Sequence, residues 1–172
     1  RFFDLIVVGQ ARFAVEEIGR DVPEECAVHC GRPVLVVPRE FRQNVTGKRI
    51  VIGWNASRQA AAAVQGALAL IEQAESVTVL KGRDKDSFPS VTRWPPLDIS
   101  SYLARQGARV STLPFEAGDA EAGAKLIAAV RDTKADLLIM GAYGRSAWRE
   151  FIFGGATRDV LKSTPVPVLM AH

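Results

Sequence analysis

The chain reads as an α/β protein: a five-stranded parallel sheet with helices on both faces, preceded by the closing strands of a similar unit. Three observations predict this. From residue 49 to the end, β-branched runs alternate with amphipathic helical stretches, an order that builds parallel sheets covered on both sides. Two short segments near the start recur, in the same order, near the end. The composition, 48% hydrophobic and 24% charged over 172 residues, supplies apolar surface for such a core and excludes a disordered segment.

The elements follow in order. "RIVIGW" (49–54) is β-branched and reads as a buried strand. "SRQAAAAVQGALALIEQA" (57–74) reads as one helix, with Val64, Ala67, Leu68 and Ile71 at i, i+3, i+4 and i+7 and Ser57 as its N-cap. "SVTVLKG" (76–82) is a second strand, and the polar, proline-broken stretch 83–96 is a loop. "DISSYLARQG" (98–107) is a helix capped by Asp98 and closed by Gly107. "ARVSTLPF" (108–115) is a third strand. "DAEAGAKLIAAVRDT" (119–133) is a helix with Gly123, Leu126, Ile127 and Val130 on one stripe. "ADLLIMG" and "VPVLMA" are the last two strands, with a helix between them ending near Ser163. Asp136, just before its strand, is expected to stay solvated.

The recurrence concerns whole strand–connection–strand units. "DLIVVG" (4–9) matches "DLLIMG" (136–141), and "RPVLVVP" (32–38) matches "VPVLMAH" (166–172), so the offsets are 132 and 134 positions. Residues 1–38 are therefore expected to be the end of a first unit, 39–48 a polar linker, and 49–172 a nearly complete second unit. The chain opens on Arg1, and its natural start is expected upstream. The two closing strands, "PVLVV" (33–37) and "PVLMA" (167–171), are expected to pair with each other or to be covered by another chain, because an exposed apolar edge invites aggregation.

Several function classes find no support. A net charge of +3 gives no argument for a nucleic-acid or membrane-surface partner. No apolar run reaches the length of a membrane span. Cys26 and Cys30 flank His29, but a structural zinc needs four ligands and the other histidine is His172. The pair reads as partly buried helix residues of a protein in a reducing cytoplasm. With no histidine from 30 to 171, no G-x-S-x-G and no paired carboxylate near the glycines, fast acid–base or nucleophilic catalysis has no apparatus. Any catalysis is expected to be slow and incidental.

One segment carries chemistry. In "MGAYGRSAWREFIFGGATRDVL" (140–161), Gly141 and Gly144 follow a strand, and Gly154 and Gly155 precede a helix through Ala156 and Thr157. Bare backbone at a strand end and at a helix N-terminus suits two walls of a phosphate cradle, with Thr157 offering a hydroxyl. The plainer alternative is a tight turn and a helix break. The spacing is neither a P-loop nor G-x-G-x-x-G. Arg145 and Arg149 flank the segment as surface residues or phosphate-steering cations. Trp148, Phe151, Ile152 and Phe153 read as packing.

G-x-x-G, nine residues, then G and a small residue resembles the nucleotide-binding signature of the universal stress protein family. "IVIGWNASRQAAAAV", "ADLLIMGAYGRS" and "STPVPVLMAH" resemble that family's first strand and helix, fourth strand and loop, and closing strand. The resemblance implies a Rossmann-like, nucleotide α-hydrolase-like fold that holds ATP or a related adenine nucleotide without a P-loop, as a stoichiometric stress-response module. It implies that Met140, Gly141 and Gly144 lie against ribose and phosphates, and that Gly154, Gly155 and Ala156 contact phosphate through backbone. It places Asn55 after the first strand, where nucleotide-binding members usually carry aspartate, and Val79 or Leu80 against adenine. Asn55 and Gly155 each remove a polar contact, so a nucleotide-free dimerisation or interaction module of the same fold is the second reading. The resemblance also implies a tandem arrangement, with pairing through the closing strands. "QARFAV" after Gly9 lacks the signature, so a first unit is not expected to bind nucleotide in the same way.

Overall fold

A computed structural model describes residues 3–11, 22–82, 98–118, 121–143 and 155–172. Seven strands and six helices are described: β1 (Ile6–Gly9), α1 (Val22–His29), β2 (Val34–Val37), β3 (Arg49–Trp54), α2 (Arg58–Gly66), α3 (Leu68–Glu72), β4 (Ser76–Gly82), α4 (Ile99–Arg105), β5 (Val110–Phe115), α5 (Ala122–Asp132), β6 (Leu137–Gly141), α6 (Gly155–Ser163) and β7 (Val168–Ala171). The loop expected at 83–96 lies outside the described residues.

All seven strands form one sheet in the order β1-β2-β7-β6-β3-β4-β5. The expected parallel unit is its larger part, β7-β6-β3-β4-β5. The two earlier strands do not stand apart: β1 pairs parallel with β2, and β2 joins β7 antiparallel, with Val34 opposite Met170, Leu35 opposite Leu169 and Val36 opposite Val168. The two closing strands thus cover each other's edges.

Both faces of the central strands are buried, which explains their unbroken apolar runs. Along β6, Leu138 and Met140 face a core shared with Leu126, Ile127 and Val130 of α5, Val160 and Leu161 of α6, and Ala27 of α1. Leu137 and Ile139 face the opposite core, with Ala63 and Val64 of α2, Ile71 of α3 and Leu103 of α4. The alternation is the two-residue period of a strand. The predicted stripe on α5 (Gly123, Leu126, Ile127, Val130) is the buried one.

Four expectations need correction. The helix expected over 57–74 is two helices, broken at Ala67 (φ −106, ψ 2). Gly66 ends the first of them, and the Pro33 ring packs where a Gly66 side chain would be. A weak helix former at the dock of another segment is a natural breakpoint. Asp98 does occupy the N-cap position of α4, but its side chain makes no cap bond and pairs with Lys81 Nζ at 3.4 Å. The strand expected over 108–115 begins at Val110, and the helix expected from 119 is described from Ala122.

The fourth correction is Asp136, which is buried, not solvated. Its Oδ1 accepts from Gly47 N (2.7 Å), and both carboxylate oxygens accept from Arg49 N (3.2 Å each). Its carbonyl accepts from Thr46 Oγ1 (2.6 Å), and its own N–H donates to Arg49 O (2.8 Å). A buried carboxylate requires such donors. Here they come from Thr46, Gly47 and the first residue of β3, Arg49, so the segment before β3 is pinned to the amino end of β6.

Candidate functional site

In an open α/β sheet, ligands bind beyond the carboxyl ends of the strands where the winding reverses. From β3 the chain runs outward through β4 to β5, then returns to the other side of β3 as β6. The reversal therefore falls between β3 and β6. Its walls are the residues after Trp54 and those after Gly141.

Both walls carry backbone that their sequence does not advertise. Ala56 (φ 57) and Tyr143 (φ 49) adopt the left-handed conformation without being glycine. Such residues are uncommon and cluster where surrounding structure forces a particular loop path. After β3, Asn55 Oδ1 accepts from Ser57 N (3.2 Å), and Ser57 Oγ accepts from Ala60 N (3.1 Å). This Asx turn followed by an N-cap launches α2 directly from the strand end. Ser57 is the cap the sequence predicts.

The second wall joins strand to helix. Tyr143 N donates to Thr157 Oγ1 (3.4 Å), which ties the residues after β6 to the first turn of α6. Gly141 and Gly155 are each two residues from that bond. On its other side, α6 packs against α5: a Cβ on Gly123 would lie 3.1 Å from Ala156 O and 3.3 Å from its Cα. The first turn of α6 is thus held beside the carboxyl end of β6, with amides for which the helix itself has no acceptors. No acidic residue lies in that turn, so nothing there opposes an anion at the positive end of the helix dipole.

The candidate residues divide. Gly141, Gly155, Ala156 and Thr157 are gathered at this junction, and Met140 precedes it as a buried residue of β6. Gly144 and Gly154 lie outside the described residues, as do Arg145, Trp148, Arg149, Phe151, Ile152 and Phe153. Asn55 is exposed at the first wall. Val79 and Leu80 are both buried, Val79 in the α2–α4 core and Leu80 in the α5–α6 core. Trp54 is half-buried against the α2–α4 core, the packing role expected of it.

Three details differ from the bare cradle expected from sequence. Gly141 is required by packing: a Cβ there would meet Ala60 N at 2.6 Å and Gln59 Cβ at 2.8 Å. The amides that follow it are engaged, Ala142 N with Ala171 O (2.8 Å) and Tyr143 N with Thr157. The Thr157 hydroxyl is buried and accepts from Tyr143 N, so its acceptor capacity is partly committed. His172, absent from the sequence-based list, brings Nδ1 within 3.1 Å of Ala142 O. Ala56 and Tyr143 were also missed, because alanine and tyrosine give no local signal for a left-handed turn. Among the described residues, no group of three or more His, Cys, Asp or Glu side chains is arranged to hold a metal ion.

The chain is thus a doubly wound α/β protein whose switch point, between β3 and β6, lies beside the first turn of α6. The universal stress protein family model matches residues 47–172, and the chain belongs to that family. It is similar to the universal stress protein Slr1230 of Synechocystis sp., at 26% identity over 171 residues, covering 97% of this chain and 57% of that protein. Its fold resembles that of a universal stress protein from Archaeoglobus fulgidus (TM-score 0.73, 16% identity), over 98% of this chain and 60% of that one. It also resembles universal stress protein UspA from Lactobacillus plantarum (TM-score 0.53, 17% identity), over 73% of this chain and 97% of that one. The chain therefore spans less than two thirds of the first two relatives. A universal stress protein solved in complex with cAMP has a looser likeness, with TM-score 0.49 and 18% identity. No helix among the described residues is long and apolar enough to cross a membrane.

Proposed function

We propose that residues 49–172 bind ATP or a related adenine nucleotide at the carboxyl ends of β3 and β6, as a stoichiometric, cytoplasmic stress-response module. The single observation that carries this reading is the Tyr143–Thr157 bond, which brings the strand-end loop and the first turn of α6 together across the glycine segment. Phosphates lie against the amides of Gly155 and Ala156 and the remainder of the G-x-x-G loop. Asn55 offers its side-chain NH2 to a ribose hydroxyl while its Oδ1 holds the α2 turn. The test is adenine absorbance in extracts of the purified protein, followed by ATP titration of wild type and Gly144→Trp. Saturable binding that Gly144→Trp abolishes supports the reading; flat titrations of both proteins overturn it.

The Ala142 amide, committed to Ala171 O, and Gly141, closed in by the first turn of α2, favour a second reading, a nucleotide-free interaction module. Flat titrations would leave that reading standing.

Residues 1–38 are, in this proposal, the end of a first unit of the same kind, paired with the second through closing strands 33–37 and 167–171. Support comes from the antiparallel β2–β7 seam and from a parallel β1–α1–β2 that repeats β6–α6–β7. The natural coding sequence upstream of Arg1 tests it: absence of a further strand–helix unit there would overturn the tandem arrangement.

A further inference from the structure

The two cysteines lie at the end of α1, just before β2. Cys30 N donates to Cys26 O (3.1 Å), so the residues are one helical turn apart. Helix geometry sets their Cα atoms about 6.2 Å apart, inside the roughly 4.4–6.8 Å span of a disulfide. Both are free and half-buried, hence open to small solutes. They are the two cysteines of these 172 residues, so within this chain each has the other as its partner. Cys30 already lies past the last helical residue, His29, and is followed by Gly31 in the left-handed region (φ 63). Its amide still closes the last helical turn, so bringing the two Cβ atoms to the roughly 3.5–4.5 Å that a disulfide needs opens that one bond, at a helix end where Gly31 already turns the chain away. Cys26 packs against the core shared by β2, β7 and α6 and is the fixed member.

We propose that Cys26 and Cys30 form an oxidisable dithiol that hydrogen peroxide closes into a disulfide within this turn. The thiolate of Cys30 attacks one peroxide oxygen; the O–O bond breaks, and the other oxygen leaves as water after protonation. The sulfenic acid on Cys30 is then attacked by the Cys26 sulfur; the S–O bond breaks, and a second water leaves. Two thiols lose two electrons and two protons, and one peroxide becomes two waters. Burial, with Cys30 and Glu25 beside it, pushes the Cys26 thiol up. Its place against the core assigns Cys26 the resolving step, and Cys30, past the last helical residue, the first attack. Glu25 is itself 3.5 Å from His29 Nε2 on the same turn. The closed bond fixes the exit from α1 into β2, the strand that joins β7.

Intact mass of the full chain tests this, after peroxide treatment under native conditions and alkylation of remaining thiols. The expected product is monomeric, lighter by two hydrogens, and takes up no alkylating agent. Reduction with dithiothreitol restores two alkylatable thiols. Cys26→Ser, which cannot resolve, accumulates a dimedone-trapped sulfenic acid at Cys30. Retention of both thiols, disulfide-linked dimers, or sulfinic acid on separate cysteines of the wild type would overturn the proposal whatever the variant does.

Discussion

At their amino ends β3 and β6 are sealed by Asp136, which gathers the amides of Gly47 and Arg49 and the hydroxyl of Thr46 around one buried residue. At their carboxyl ends the same two strands run into left-handed Ala56 and Tyr143 and into a helix start whose first amides the helix does not use. One end satisfies its polar groups internally. The other presents the positive end of a helix. The difference separates what the strand pair needs in order to fold from what it can offer to a ligand.

The sharpest way to break the comparison is Asp136→Ala. It strips buried donors of their acceptor and is expected to cost about 3 kcal/mol in urea unfolding while leaving any ATP titration unchanged. A loss under about 1 kcal/mol would show that the latch is not holding the linker. Next is Gly141→Ala, whose methyl would lie 2.6 Å from Ala60 N. It is expected to cost about 2 kcal/mol and, because it displaces the start of α2 at the crevice wall, to weaken ATP binding as well. Stability and binding should thus fall together at the carboxyl end and separately at the amino end.

Ala56→Gly relieves a left-handed alanine and is expected to raise stability by about 0.5 kcal/mol in thermal unfolding. A fall of the size usual for Ala→Gly in regular structure would contradict the left-handed path. The smallest effect is at the amino edge, where Lys48 Nζ is 3.0 Å from Glu75 Oε1 on the surface. The Lys48 hydrogen bond, then its charge, holds the Glu75 carboxyl below its ordinary range. A lowered carboxyl stabilises the fold above its unfolded-state value and loses that contribution as pH falls through the lowered one. Glu75→Gln should therefore differ from wild type at neutral pH, converge with it in acid, and differ less in high salt.

Much of this was legible in the residues. The runs at 49–54, 76–82 and 137–141 are strands because β-branched and apolar residues fill a sheet buried on both faces. "PVLVV" and "PVLMA" were expected to pair or to be covered by another chain, and they pair. Ser57 announced its helix. Other features were hidden for definite reasons. The break at Ala67 depends on Pro33 docking against Gly66 from more than thirty positions away. Asp136 looked like a surface residue because its donors belong to Gly47 and Arg49, some ninety positions earlier. Gly141 looked like a ligand's landing place, although the first turn of α2 occupies that side.

Sequence by itself determined the alternation of strands and helices, their buried stripes and the glycine-bearing segment, because these rest on periodicity and on neighbours within a few positions. Tertiary structure alone decided that the helix after β3 breaks at Ala67, where Pro33 docks against Gly66. It also decided that Asp136 is a buried latch and that Thr157 turns its hydroxyl to Tyr143. Those outcomes depend on which distant groups arrive beside one another, and a linear pattern carries no record of that arrival.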